Sequence, residues 1–170
     1  MNGWIKILAA LGAAGGIFAL LRRDSSSTPF VLSARQKVAN AARSQVGSSD
    51  KAKYWASALP GQNPAGLDWC GAFALWSLHA AGLAKDWFWQ LGKGFLMTDK
   101  TKLPITTVPQ VGDIAYFTTN QHEAVVLSVD SNNKTVELAN GNSTGGKVTI
   151  SNIPWNKATA FFSITPLVGS

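Results

Sequence analysis

The sequence predicts an α+β domain whose helices come first and whose antiparallel sheet follows. Three observations carry that expectation. Two segments between residues 33 and 82 repeat their apolar side chains at helical spacing and end on glycine. After Pro104 the pattern changes to short runs rich in Val, Ile, Thr and Phe, separated by Asn, Asp and Gly. Helices gathered before strands, rather than alternating with them, favour an antiparallel sheet with helices packed on it.

The first helix is expected over 34–46. Ser33 is an N-cap candidate, Val38, Ala41, Ala42 and Gln45 line one side, and Gly47 ends it. Residues 47–68 hold Gly61, Pro64 and Gly66 and read as turns. A second helix is expected from Cys70 to Ala81, with Gly82 as its stop. It is apolar on most sides, so it belongs in the centre. Strands are expected at 114–117, 124–129, 135–139, 147–150 and 161–164, with turns at 130–133 and 141–146.

Composition narrows the function classes. The chain has 170 residues, enough for one domain of ordinary size and too few for two. Its 46% hydrophobic content excludes a wholly disordered chain. One cysteine and two histidines exclude an intrachain disulfide and leave out zinc fingers. A net charge of +6 suggests an anionic neighbour, but no Lys/Arg-rich run or recognisable module supports a nucleic-acid partner.

The N-terminus reads separately from the domain. Trp4 to Leu21 is an 18-residue apolar run interrupted only by Lys6 and closed by Arg22, Arg23 and Asp24. A helix of that length spans ~27 Å, close to a bilayer core. Residues 1–24 are therefore read as a transmembrane anchor, in preference to a cleaved signal peptide or a core helix. The flanking charges lean weakly toward a cytoplasmic C-terminal side. Gly12 and Gly16 form a small-residue face suited to self-association. Residues 25–32, opening on Ser25 to Pro29, form a flexible linker, and 33–170 the globular domain.

Cys70 stands at an expected helix start, where free backbone N–H groups and the dipole favour a thiolate and can bind an oxyanion. The competing reading is a small buried hydrophobe. His79 lies nine residues along the same helix, ~13.5 Å away, too far to serve as base. His122 precedes the strand Ala124–Leu127 and can project from a sheet edge toward a packed helix. His122-Glu123 is not a metalloprotease signature, because Val126 fills the place of a second histidine. An antiparallel partner strand ending in Asn140-Gly141-Asn142 brings those amides near His122, where Asn140 can accept from the imidazole. Asn-Gly-Asn is also ordinary turn chemistry. Trp69, Tyr54 and Gln62 are substrate-side candidates, Trp69 as a groove wall and the other two as weaker oxyanion or groove residues.

In order, Asp68-Trp69-Cys70-Gly71-Ala72-Phe73, Pro109-Gln110-Val111-Gly112-Asp113-Ile114-Ala115-Tyr116-Phe117, His122-Glu123-Ala124-Val125-Val126 and Asn140-Gly141-Asn142-Ser143 resemble the CHAP and NlpC-type cysteine peptidases. The resemblance implies a papain-like fold, with the nucleophile helix packed on a roughly five-stranded antiparallel sheet. It also implies cleavage of amide bonds in peptidoglycan. It assigns Cys70 as nucleophile, His122 as base, Asn140 as the residue orienting the base and Asn142 as a further polar member. Many CHAP relatives have Glu where Asn140 stands. The Pro-x-x-Gly-Asp segment is expected to serve structure. No cofactor is expected, and no calcium, because the acidic loop of some relatives is missing. The expectation is a membrane-anchored wall hydrolase, its domain facing the wall at the time of action. The alternative is a catalytically silent, anchored wall-binding or structural component of a phage-like particle, which would also account for a domain made inside and delivered later.

Overall fold

A computed structural model describes residues 33–62, 64, 66–89 and 103–168. The expected anchor, the linker and the Gly12/Gly16 face lie outside the described residues. Among the described residues no helix is long and apolar enough to cross a membrane.

Helix α1 (Ala34–Arg43) opens on Ser33, whose hydroxyl accepts from the Gln36 N–H at 3.2 Å. It stops earlier than the sequence suggests. The Ser44 hydroxyl donates to the Ala41 carbonyl, and the turn carries Gly47 to Val148 O, where its N–H is held at 2.9 Å. That bond ties the turn to a sheet strand, which residues 44–46 could not reach as helix.

Residues 47–68, expected to be rich in turns, also hold a helix that was not expected, α2 (Lys51–Ala58). Asp50 caps it by accepting from the Lys53 N–H at 3.2 Å, and it buries Tyr54, Trp55 and Ala58 on one side. Helix α3 (Cys70–Ala80) is buried over nearly its whole length, as its apolar circumference requires. Its one buried hydroxyl, Ser77, is satisfied by the Phe73 carbonyl at 2.9 Å.

Among the described residues the sheet has six strands, one more than expected: β1 (Ile105–Thr106), β2 (Ile114–Phe117), β3 (His122–Asp130), β4 (Thr135–Ser143), β5 (Lys147–Pro154) and β6 (Ala160–Phe162). Their order is β1-β6-β2-β3-β4-β5, and every pairing is antiparallel. Strand β1 has only two residues and is held by pairing with β6, so no periodicity announces it. A 3-10 turn (Trp155–Lys157) precedes β6 and a short helix, α4 (Thr165–Val168), closes the described chain.

The two sheet faces have separate apolar clusters. Ile114, Val125, Leu127, Ala139 and Phe162 face the helices and join their core. Ala115, Ala124, Val126, Leu138 and Phe161 pack together on the other face. Strand alternation therefore decides which residues at the start of β3 meet α3.

Candidate active site

The site is assembled where α3 begins, β3 begins and β4 ends. Cys70 is the first residue of α3 and is 6% exposed. Its Sγ lies 3.1 Å from Glu123 Oε2 and 3.9 Å from the Gln121 carbonyl oxygen. The two groups it touches therefore belong to the residues on either side of His122. Gln121 has φ +51°, a left-handed backbone that turns the chain sharply into β3.

His122 looks elsewhere. Its Nε2 lies 3.2 Å from Asn140 Oδ1, and its ring stands 6.0 Å from that of Phe117. The Asn140 amide nitrogen donates to Ser151 Oγ at 3.0 Å and to Leu138 O at 3.3 Å, so its oxygen is the atom facing the ring. An acceptor at Nε2 places the imidazole proton there and leaves Nδ1 as the basic nitrogen. Glu123 takes the α3 face of β3, the face of Val125. His122, one residue earlier, leaves on the face of Ala124. Among the described residues no hydrogen bond joins Cys70 to His122.

Asn142 is set apart from Asn140 by an irregularity. The β4–β5 register shifts between Asn140 and Ser143, and Asn142 adopts φ +53°. This turns its amide to Asp68 Oδ1, to which it donates at 2.6 Å, tying the end of β4 to the residue two before Cys70. Gly141 lies between the two amides, where β4 presses on α3. A Cβ there would stand 2.6 Å from Phe73 Cβ. Gly141→Ala is expected to cost ~1–3 kcal/mol by overpacking, read from urea unfolding. Wild-type stability in that variant would contradict the close approach.

The aromatic candidates are buried. Trp69 is 3% exposed and stacks on Tyr54, itself 0% exposed, with ring centroids 5.1 Å apart. Both rings pack beneath the helix start, and that burial removes Trp69 as a groove wall and Tyr54 as an oxyanion donor. Gln62 is exposed on the turn after α2, with its backbone N–H on the Leu59 carbonyl at 3.2 Å. His79 bonds Ser57 Oγ through Nδ1 at 2.8 Å, consistent with a packing role away from the cysteine.

Electrostatics at the sulfur oppose the helix start. Burial, and after it the Glu123 carboxylate, push the Cys70 thiol up to about 12, against help to the thiolate from the Glu123 and Gly71 backbone amides. Cys70 therefore rests as a thiol, contrary to the expectation from helix position alone. Burial lowers the pKa of His122, partly offset by the Asn140 hydrogen bond and the charge of Asp68.

Glu123 is the site residue that the sequence reading left unused. Its signal was available: it holds a core-facing position in a strand whose neighbours on that face, Val125 and Leu127, are apolar. Among the described residues no cluster of His, Cys, Asp and Glu could hold a metal ion.

The family model of the CHAP domain matches residues 61–142. Over that stretch the chain is similar to the CHAP domain. The match spans Cys70, His122, Asn140 and Asn142 and leaves out α1, α2 and the strands after β4. A CHAP domain suggests a cysteine-dependent amidase or peptidase acting on peptidoglycan. Neither the curated proteins nor the solved structures gave a match to this chain.

Proposed function

We propose that this protein is a peptidoglycan hydrolase that cleaves an amide bond with Cys70 as nucleophile, His122 as base and Asn140 orienting the base. The observation that carries the reading is the arrival of a helix-starting cysteine against the residues flanking a histidine, with that histidine's Nε2 on the Asn140 carbonyl oxygen. In the reaction, the imidazole turns from its resting orientation and Nδ1 takes the thiol proton. The thiolate forms a bond to the amide carbonyl carbon, and the C–N bond breaks as His122 returns the proton to the leaving amine. Water, deprotonated by His122, then cleaves the thioester and restores the thiol. Backbone N–H groups in the first turn of α3 lie at the positive end of the helix and stabilise the oxyanion. The apolar run at residues 4–21 supports a membrane anchor that holds this activity near the wall. Asn142 acts through Asp68 by fixing the loop that leads into Cys70.

The experiment is clearing of purified cell walls by wild type and Cys70→Ala, with mass spectrometry of the fragments released from defined peptidoglycan. Clearing by wild type and none by the variant is expected, with new amine and carboxyl termini in the fragments. Equal clearing by both proteins would remove Cys70 as nucleophile. Wall binding without hydrolysis by wild type favours the silent wall-binding alternative, in which the Cys70–Glu123 contact is a resting state never left.

A further inference from the structure

We propose that Glu123 is a latch on the nucleophile: its carboxylate holds Cys70 in the protonated thiol form, and the sulfur becomes reactive only when that carboxylate leaves it. The inference rests on the reading of Cys70 as nucleophile and concerns the regulation of that same site.

The geometry comes first. Glu123 is 4% exposed and Cys70 is 6% exposed, and the carboxylate oxygen sits 3.1 Å from the sulfur. An ionised carboxylate can only accept, so the sulfur must keep its hydrogen to make this contact. The position on the sulfur that a base would occupy is filled by an acid side chain, while the imidazole of the intervening residue is turned to Asn140. Charge gives the second argument. Forming a thiolate beside a carboxylate puts two negative charges together at a buried site, whereas a thiolate beside an imidazolium would form an ion pair. Among the described residues, His122 on β3 and Asp68 on the segment before α3 also carry charge near this end of the sheet. Asp68 is held by Asn142 and bears on His122. Release therefore requires the Glu123 side chain to withdraw from the sulfur.

The test is alkylation of the full chain by iodoacetamide, which reads Cys70 alone because the protein has one cysteine. Glu123→Gln keeps the shape and removes the charge. The variant is expected to alkylate at least tenfold faster than wild type at pH 7.5, since the thiolate is the reacting form. An unchanged or slower rate overturns the latch, and a slower one would make Glu123 a base. The wild-type pH profile supplies a measurement independent of any variant's folding. A midpoint at or below about 8.5, the ordinary thiol value, overturns the latch. Wall clearing is followed in parallel. Faster alkylation of Glu123→Gln with no hydrolysis by either protein supports the latch and counts only against the hydrolase reading. Equal alkylation with hydrolysis by wild type overturns the latch alone.

Discussion

Asp113→Ala is expected to lose ~3–5 kcal/mol of stability, the largest loss anticipated from a single change outside the site. Asp113 is 0% exposed, and its Oδ1 accepts from Arg35 Nη1 at 2.7 Å and from the Ile164 N–H at 3.0 Å. Its Oδ2 accepts from the Gln110 N–H at 2.8 Å. One carboxylate thus joins α1, the turn before β2 and the segment after β6. Arg35 completes the junction by donating to Val111 O at 3.0 Å and Thr165 Oγ1 at 2.8 Å. Removing the acid leaves a largely buried guanidinium without its counter-charge and two backbone N–H groups without acceptors, and each omission has a cost in a dry interior. Typical domains have ~5–15 kcal/mol in total, so the variant should be largely unfolded by mild urea that wild type resists. Equilibrium unfolding followed by circular dichroism measures this, and a loss under ~1 kcal/mol would show that the junction is dispensable. Gly112, with φ +86°, sits where a Cβ would stand 3.0 Å from the Arg35 carbonyl oxygen, so the Gly-Asp pair serves one joint with two different properties.

What could be read from the sequence was whatever periodicity or capping expresses locally. Helix α3 and strand β2 match their expected spans closely, because an apolar helix between Cys70 and Gly82 and a β-branched and aromatic run after Gly112-Asp113 have few other solutions. The strand cores of β3, β4 and β5 were legible, but their ends were not. Their outer residues, such as Asn140 and Asn142, have turn chemistry and extend the strand only because a neighbour supplies the ladder. Helix α2 was hidden by the Gly and Pro that follow it, although Asp50 and the buried trio Tyr54, Trp55 and Ala58 form its cap and face. In the site, Cys70, His122 and Asn140 stand at the start of α3, the start of β3 and near the end of β4. Strand alternation, which sends Glu123 rather than His122 to the α3 face, is a three-dimensional consequence of register. It was decodable only by asking which parity of β3 meets the helices. The same distinction explains Trp69 and Tyr54: adjacency to Cys70 in sequence implied a groove, and packing beneath the helix start buried both rings.

His122→Ala is expected to reduce kcat for wall hydrolysis ~10²–10⁴-fold, the range associated with losing a positioned general base. The pH dependence makes the prediction specific to this imidazole. Burial depresses its pKa, and Asn140 and Asp68 offset only part of that effect. The base therefore stays neutral somewhat below the ordinary histidine value of ~6.5, and the acid limb of wild-type kcat should fall at lower pH than a free imidazole would give. The same shift has a stability consequence. A histidine whose folded pKa lies below its unfolded value contributes stability that is fully present above ~6.5 and is lost as pH falls through the folded value. Wild type should lose more Tm than His122→Ala between pH 7 and pH 5. His79, which is also depressed by burial, contributes to both proteins and cancels in the comparison. Asn140→Ala provides the positioning control. It removes the acceptor at Nε2 and one of the influences that raise the imidazole pKa, so its acid limb should move lower still while kcat falls less than in His122→Ala. Retention of more than a tenth of wild-type kcat in His122→Ala, with an unchanged acid limb, would assign the proton transfer to another group. Glu123, already in contact with the sulfur, is the group that would then have to perform it.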